Sequence, residues 1–348
     1  MKEGSITTTD IAQLETSRSL ASRSLEVWTR IGPLVDWARS RRGRRILTLV
    51  SLAAAAGLLA LAARHFGKAS WPLAHVNIGL AVAAGFLFLA GHALKAWGWR
   101  RLFAAGERPH SLALAAAGGG ASVTGVALPG RFDDAVRIAI VRRYPGCPAG
   151  AGAVCLSLVL LGLVDAAALA PFAAVAAALP GTSVVMRVGF AVVALAGVAA
   201  AVLLLTLPRL AASKRVLRYR LGYWLGARAI SRRGAWEAWA LVLASWVTRA
   251  VALFLLLGAL GLGLSIPLAI VFLCAGAASA ALPVAPAGAA TQAGAGAAIL
   301  IASGVRASKA IGFAAAAQSL VVLAGAAILL FAIAWQVGRR FAHNRATA

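Results

Sequence analysis

The sequence is poor in charged residues, and in acidic residues above all. Only 13% of its 348 residues are charged, whereas soluble domains have about 25%. Acidic residues number 10, beside 34 lysines and arginines, and 61% of the residues are hydrophobic. This composition excludes a soluble globular domain and a disordered chain, and it predicts an all-α, polytopic membrane protein. Because the basic residues lie between apolar runs, we expect anionic phospholipid as their partner and no nucleic acid.

Residues that bind metals or perform catalysis are also scarce. The three cysteines, Cys147, Cys155 and Cys274, lie in or beside apolar runs. They have neither metal-ligand spacing nor the pattern of a disulfide framework. The five histidines are scattered along the chain, and no ATP-binding motif is present. We therefore expect no metal, no cofactor and no catalytic residue.

Six apolar runs are long enough to cross a bilayer, which takes about 20 residues. They cover residues 46–63, 76–97, 149–178, 184–207, 239–260 and 311–337. We assign residues 46–338 to one transmembrane domain and residues 339–348 to a short basic tail. In the polar tail of residues 1–45, the apolar positions of residues 20–38 have helical spacing. That spacing fits a helix lying on the membrane, and an unstructured tail is an equal alternative.

The basic residues predict the orientation of the chain. If both termini, Lys95, residues 98–148 and residues 208–236 are cytoplasmic, 28 of the 34 lysines and arginines lie inside. Cytoplasmic loops carry such an excess in multi-pass proteins. We therefore expect a plasma-membrane (inner-membrane) protein with both termini in the cytoplasm.

Two stretches do not fit single spans in this arrangement. Residues 111–144 must start and end inside, and residues 266–305 must start and end outside. The first is interrupted at Pro129-Gly130 and the second between Pro283 and Gly288. Charged or broken backbone is tolerated at membrane depth only where protein or water surrounds it. We therefore predict two re-entrant helical hairpins of opposite orientation, a layout that fits an inverted repeat of the kind found in transporters.

The two breaks carry family motifs. The first reads Leu128-Pro129-Gly130-Arg131-Phe132-Asp133-Asp134-Ala135-Val136-Arg137, and the second reads Pro283-Val284-Ala285-Pro286-Ala287-Gly288. These runs resemble two motifs in the membrane region of lysylphosphatidylglycerol synthases, a flippase-like domain. Asp133 and Asp134 replace a glycine and a glutamate of the first motif, and Ala293 stands where the second has an acid. Asp165 and the Trp246–Arg249 pair also resemble the family, over about residues 45–338.

The resemblance implies lipid handling. In the two-domain synthases a separate soluble domain transfers the aminoacyl group, so we expect no such enzymatic activity here. The leading hypothesis is a protein that binds an anionic phospholipid or a lipid-linked substrate and translocates it between leaflets. The alternatives are a membrane enzyme acting on lipid-linked substrates, such as a glycosyltransferase, and a non-catalytic partner of such an enzyme. A homodimer also stays open.

Nine residues are candidates for contact with the lipid: Pro129, Arg131, Asp134, Arg137, Asp165, Arg249, Pro283, Pro286 and Gly288. Two guanidiniums beside a helix break, Arg131 and Arg137, suit a phosphate. The alternative is that Asp133 and Arg137, four residues apart, form a local ion pair. Arg249 lies within a span, where an ionisable residue needs a partner or a function. Asp165 is its best acidic candidate, and a phosphate is the alternative ligand. The backbone freed at Pro283, Pro286 and Gly288 either binds substrate or is satisfied by neighbouring helices.

The orientation has a direct test. In a variant without native cysteines, a single cysteine at position 215 should resist a membrane-impermeant thiol reagent added to intact cells. The same cysteine should react after the membrane is permeabilised, because the positive-inside rule places this basic loop in the cytoplasm. Labelling of position 215 in intact cells would overturn the orientation.

Overall fold

The structure is a computed structural model, and it describes residues 76–126, 132–180, 182–211, 231–280 and 288–346. The predicted tail of residues 1–45 and the first predicted span lie outside these ranges, as do Pro129, Arg131, Pro283 and Pro286.

The described ranges form nine α-helices and contain no strand. The helices are α1 Ile78–Arg101, α2 Ser111–Thr124, α3 Phe132–Arg143, α4 Ala151–Ala178, α5 Val184–Ala211, α6 Arg232–Ala259, α7 Ile266–Ala280, α8 Gly288–Ala302 and α9 Ala307–Ala346. Five of them, α1, α4, α5, α6 and α9, are long and apolar enough to cross a membrane. These five coincide with five of the six predicted spans, and the all-helical prediction is confirmed for this part of the chain.

The outer surface of the long helices is apolar. On α5, Val185, Val188, Val192 and Leu195 recur at intervals of three or four residues, and each is more than half exposed. In water such a stripe would be unfavourable, since exposed apolar area costs about 25 cal/mol per Å². In a bilayer the same stripe contacts lipid tails, which is the environment that these residues favour.

The longest helix contact joins α1 and α6, which run antiparallel. At one end the Asn77 amide donates to the Ala259 carbonyl over 3.0 Å, and near the other end Gly98 lies against Val242 and Ala238. Between them the Ser245 hydroxyl donates to the Gly91 carbonyl over 2.8 Å. Small residues face each other along this contact, which we call the α1–α6 seam, and they let the two backbones approach closely.

The four short helices form two packed pairs, α2 with α3 and α7 with α8. Each pair falls within one of the two stretches that did not fit a single span. Each stretch therefore contains two separate helices that pack on each other, and the residues between the paired helices are outside the described ranges. The charged helix α3 packs on α2, and α2 in turn packs on α9.

The glycine run of α2 provides close packing at two of its three positions. A Cβ on Gly119 would meet the backbone of Gly325 on α9, and a Cβ on Gly120 would meet the side chain of Ile140 on α3. Gly118, by contrast, has no described neighbour within 4 Å of such a Cβ. The run therefore joins α2 to two helices at once.

Substitution of Gly119 by alanine should destabilise the protein. The added methyl group collides with the backbone carbonyl of Gly325, which cannot move aside as a flexible side chain can. Overpacking of this kind costs about 1–3 kcal/mol. The matched control is Gly162→Ala on α4, where a Cβ meets no described atom within 4 Å. At that position the only expected effect is the higher helix propensity of alanine, which stabilises the helix by up to about 1 kcal/mol. Thermal unfolding in detergent should show a lower midpoint for Gly119→Ala and an equal or higher one for the control; equal midpoints would contradict this contact.

Candidate functional site

Ionisable side chains from four helices meet inside the bundle. Lys95 comes from α1, Arg137 from α3, Asp165 from α4 and Arg249 from α6. Lys95 interacts electrostatically with all three of the others, and Arg249 interacts with Asp165 and Arg137. Charged groups are expensive inside a membrane protein unless they pair or serve a ligand. We call these residues, together with Asp133, Asp134 and Trp246, the charged cluster.

Asp165 pairs with Lys95 and not with Arg249. The Lys95 ammonium lies 2.6 Å from Oδ2 of Asp165, and each side chain is about a quarter exposed (25% and 23%). The salt bridge considered between Arg249 and Asp165 is therefore not formed, although the two charges attract each other. A bond of 2.9 Å from the Trp99 indole nitrogen to the Ser157 hydroxyl holds α1 against α4. Trp99 lies one helical turn beyond Lys95, so this contact brings Lys95 to the face that carries Asp165.

Arg249 occupies space that a glycine leaves free. A Cβ on Gly91 would lie 3.3 Å from Cγ of Arg249 and 3.5 Å from its Nε. The guanidinium lies 5.5 Å from the ring centroid of Trp246, which is one turn earlier on α6. The Lys95 ammonium lies 5.9 Å from the same centroid. Two cations therefore share one indole ring, in the distance range of cation–π attraction.

The direction of the helices explains why these two cations converge. Side chains on a helix lean toward its N-terminus. Because α1 and α6 are antiparallel, Lys95 leans toward the Asn77 end of the seam, whereas Arg249 leans toward the Gly98 end. The two side chains therefore approach each other from opposite directions, and Trp246 lies where they meet.

Three polar atoms of the cluster are buried without a hydrogen-bond partner among the described residues: Nε of Arg249, Nε1 of Trp246 and Oδ1 of Asp165. Both nitrogens carry a proton and are donors only. A buried donor without an acceptor costs about 1–3 kcal/mol. Unsatisfied donors beside cations thus mark a place where an anionic oxygen would be stabilised.

Arg137 is neutralised within its own helix. Its guanidinium lies 3.1 Å from Asp133 and 2.7 Å from Asp134, and both acids are in the first turn of α3. The local pair considered for Asp133 and Arg137 is thus present. Negative charge at a helix N-terminus is favourable, which adds to the stability of this arrangement. Among the three cations of the cluster, Arg249 is the one that has no salt bridge within the described part of the chain.

The charged cluster lies within a part of the chain that matches a known protein family. Residues 48–328 match the family described as the lysylphosphatidylglycerol synthase TM region. The chain belongs to this family. It is therefore a multi-pass membrane protein, as the apolar helices also indicate. The match includes every residue of the charged cluster and both short helix pairs. No curated protein and no solved structure matches the chain.

The predicted site residues of this family member divide into three groups. Asp134, Arg137, Asp165 and Arg249 meet in the charged cluster. Gly288 begins α8, and no described contact joins it to the cluster. Pro129, Arg131, Pro283 and Pro286 lie outside the described residues, so the predicted Arg131–Arg137 phosphate site stays a prediction.

The sequence analysis did not identify two residues of this region, Lys95 and His92, as candidates. Lys95 counted only as a basic residue at the end of a span. Its spacing from His92 and Trp99, one turn to either side, was the available signal that it faces the interior. His92 is buried; its Nδ1 lies 2.9 Å from the Phe88 carbonyl and its Nε2 lies 3.3 Å from the Ser122 hydroxyl on α2.

An apolar groove lies elsewhere on the bundle, between α1 and α9. Its volume is about 220 Å³, and its lining includes Val82, Gly85, Phe86 and Leu89 of α1 with Leu320 and Leu323 of α9. None of the charged residues takes part in it. Within the described ranges, no three histidine, cysteine or acidic side chains come together as a metal site. The charged cluster is therefore the candidate site.

The Lys95–Asp165 pair predicts non-additive stabilities. Lys95→Met or Asp165→Leu alone leaves one charge without its partner inside the bundle, which should cost on the order of 3 kcal/mol. The double variant leaves no lone charge, so it should lose less than the sum of the single losses. The matched cycle of Asp165→Leu with Arg249→Leu should show a smaller coupling energy, because no ion pair joins those residues. Thermal stability of the purified variants measures both cycles; additive losses for Lys95 and Asp165 would contradict the pair.

Proposed function

We propose that this protein binds the phosphate of an anionic phospholipid in the charged cluster and carries it between the leaflets of the plasma membrane. One observation supports the proposal above the others. Arg249 and Trp246 present two buried N–H donors without acceptors among the described residues, on a helix that can cross a membrane. Membership of the family agrees with lipid as the substrate.

Phosphate is the ligand class that fits these donors. A guanidinium binds phosphate oxygens through a planar set of N–H groups, and such charge-assisted hydrogen bonds are about twice as strong as neutral ones. The Trp246 indole adds a donor, and the Lys95 ammonium supplies a second positive charge near the same ring. A neutral lipid such as diacylglycerol offers no anionic oxygen to these donors.

The short helix pairs provide the proposed route for the headgroup. We infer that α2–α3 and α7–α8 are re-entrant hairpins that enter the membrane from opposite faces, with both termini in the cytoplasm. Helix breaks at membrane depth line the substrate sites of many transporters. The α2–α3 pair places Arg137 within electrostatic range of Arg249, which supports a role for this pair at the site.

The enzymatic alternative has less support. A lipid-linked glycosyltransferase would use Asp133 and Asp134 as a metal-binding pair. Both carboxylates instead contact the Arg137 guanidinium, and a neighbouring cation opposes the binding of a metal ion. We therefore favour transport without catalysis.

Replacement of Arg249 by glutamine should weaken phospholipid binding. The change removes the charge-assisted bonds to phosphate, which are worth about 1.5–3 kcal/mol, or roughly ten- to a hundredfold in the dissociation constant. The measurement is native mass spectrometry of the detergent-solubilised protein titrated with phosphatidylglycerol. Diacylglycerol, which lacks phosphate, is the control ligand, and translocation of a fluorescent phosphatidylglycerol by reconstituted protein is the second readout.

The matched control variant is Arg187→Gln. Arg187 lies at the start of α5, and it bonds Thr182 rather than any member of the cluster. The substitution removes the same charge from the same protein, so phosphatidylglycerol binding and translocation should stay at the wild-type level. Equal losses in both variants, or wild-type binding by folded Arg249→Gln, would overturn the proposal.

A further inference from the structure

We propose that the α1–α9 groove binds one acyl chain of the phospholipid whose phosphate is held by the charged cluster. The α1–α9 groove is the apolar groove that runs from Val82 to Leu89 on α1 and from Leu320 to Ala327 on α9. The inference rests on the proposed function and adds a second contact for the same ligand. It is supported by the lining of the groove, by its direction from the charged cluster and by its continuity with that cluster.

The groove has the chemistry and the size of a hydrocarbon site. Every residue that lines it is apolar, and its volume is about 220 Å³. A closed apolar cavity of about 150 Å³ binds benzene, which has six carbons, so by proportion the groove holds roughly nine carbons of a chain. Gly85 provides part of this space, because a Cβ added there would have only Leu320 near it, at 3.8 Å.

The groove opens toward the lipid. Phe86 and Leu323 line it and are 66% and 63% exposed, and both α1 and α9 are long and apolar enough to cross a membrane. In a bilayer such surfaces face hydrocarbon chains and not water. An acyl chain therefore reaches the groove without leaving the bilayer. The position of the groove relative to the charged cluster favours a chain of the bound lipid.

The groove lies in the direction in which the chains of that lipid extend. Lys95 is about 9 Å from the Arg101 end of α1, a helix of 24 residues that is about 36 Å long. A phosphate at the level of Lys95 belongs to the leaflet at the Arg101 end, and its chains point toward the bilayer centre, near Leu89. One leaflet contains about 15 Å of hydrocarbon, and about 15 Å along α1 from Lys95 lies Gly85. In the predicted orientation this is the inner leaflet.

One ridge of α1 joins the charged cluster to the groove. Lys95, His92 and Leu89 are three residues apart, so their side chains are neighbours on the helix surface. Nε2 of His92 lies 3.3 Å from the Ser122 hydroxyl of α2, and α2 ends two residues later, at Thr124. The groove thus begins one turn from His92, beside the end of α2. We expect the glycerol of the lipid at this junction, between the phosphate and the chain.

Filling the groove should weaken the binding of a long-chain lipid and not that of a short-chain lipid. Gly85→Leu places a side chain in the groove from α1, and Ala327→Phe places one there from α9. The measurement is native mass spectrometry of the detergent-solubilised full chain, titrated with phosphatidylglycerol of sixteen-carbon or of six-carbon chains. The six-carbon lipid dissolves in water, so it can be titrated to millimolar concentration.

The two lipids differ in whether they reach the groove. By proportion to the leaflet, a six-carbon chain extends about 6 Å, whereas Leu89 is about 9 Å from Lys95 along α1. For the sixteen-carbon lipid, each filled variant should raise the dissociation constant by about three- to tenfold, because a displaced chain loses many weak van der Waals contacts. For the six-carbon lipid, the dissociation constant should stay at the wild-type value.

The matched control is Gly162→Leu, which is the same substitution on α4. Gly162 is exposed, and a Cβ there meets no described atom within 4 Å. The added side chain faces the bilayer, so both lipids should bind as they do to the wild type. Thermal unfolding checks that the variants fold. Since leucine has a higher helix propensity than glycine, Gly85→Leu should unfold at the wild-type midpoint or above it.

The outcomes separate the two proposals. Absence of binding of both lipids by the wild type overturns the proposed function. Wild-type binding of the sixteen-carbon lipid by both filled variants overturns the acyl-chain site and leaves the phosphate site intact. Equal losses for the two lipids would mean that the substitutions disturb the headgroup site. A change of oligomeric state in the same spectra would assign the groove to a second copy of the chain. Either of these last two results also overturns the acyl-chain site.

Discussion

A charge inside an apolar helix bundle needs an opposite charge or a hydrogen-bond partner. The interior of this protein is arranged around that requirement. Three cations and three carboxylates lie together among helices whose other charged residues lie near the helix ends. Lys95 neutralises Asp165, and Arg137 holds two aspartates of its own helix. Arg249 has no salt bridge among the described residues. Its guanidinium lies over the ring of Trp246, whose indole nitrogen is also without a hydrogen-bond partner there. The arrangement therefore has its unsatisfied positive charge in one place, and that place determines which ligands it suits.

The packing of the helices produces this distribution. Gly91 leaves room for the stem of Arg249, and the bond from Ser245 to the Gly91 carbonyl fixes the register of α1 and α6 beside it. The indole of Trp99 then fixes α1 against α4. Two helix contacts, each determined by a small side chain or one hydrogen bond, thus decide which of the two cations reaches Asp165. Electrostatics alone would allow either.

The sequence was sufficient to predict the five long apolar helices of the described ranges, because an apolar run of the required length rarely forms anything else. The i,i+4 pair of Asp133 and Arg137 was the alternative to a phosphate site, and it follows from helix geometry, which brings those positions together. The sequence was insufficient for the partner of Asp165. Counting residues from the start of a span gives depth, whereas pairing also depends on how each helix is rotated about its axis. Lys95 was missed for a related reason, as a lysine near the end of a span counts first as a flanking charge.

The continuity of the α1–α6 seam has a mechanical consequence. The two helices touch from Asn77 and Ala259 at one end to Gly98 and Ala238 at the other. A Cβ would already crowd the neighbouring helix at Gly98, so sliding one helix along the other would force side chains into the backbone opposite. We therefore expect α1 and α6 to move as one rigid pair. A motion that exposed the Arg249 side chain first to one face and then to the other would have to involve helices other than α1 and α6.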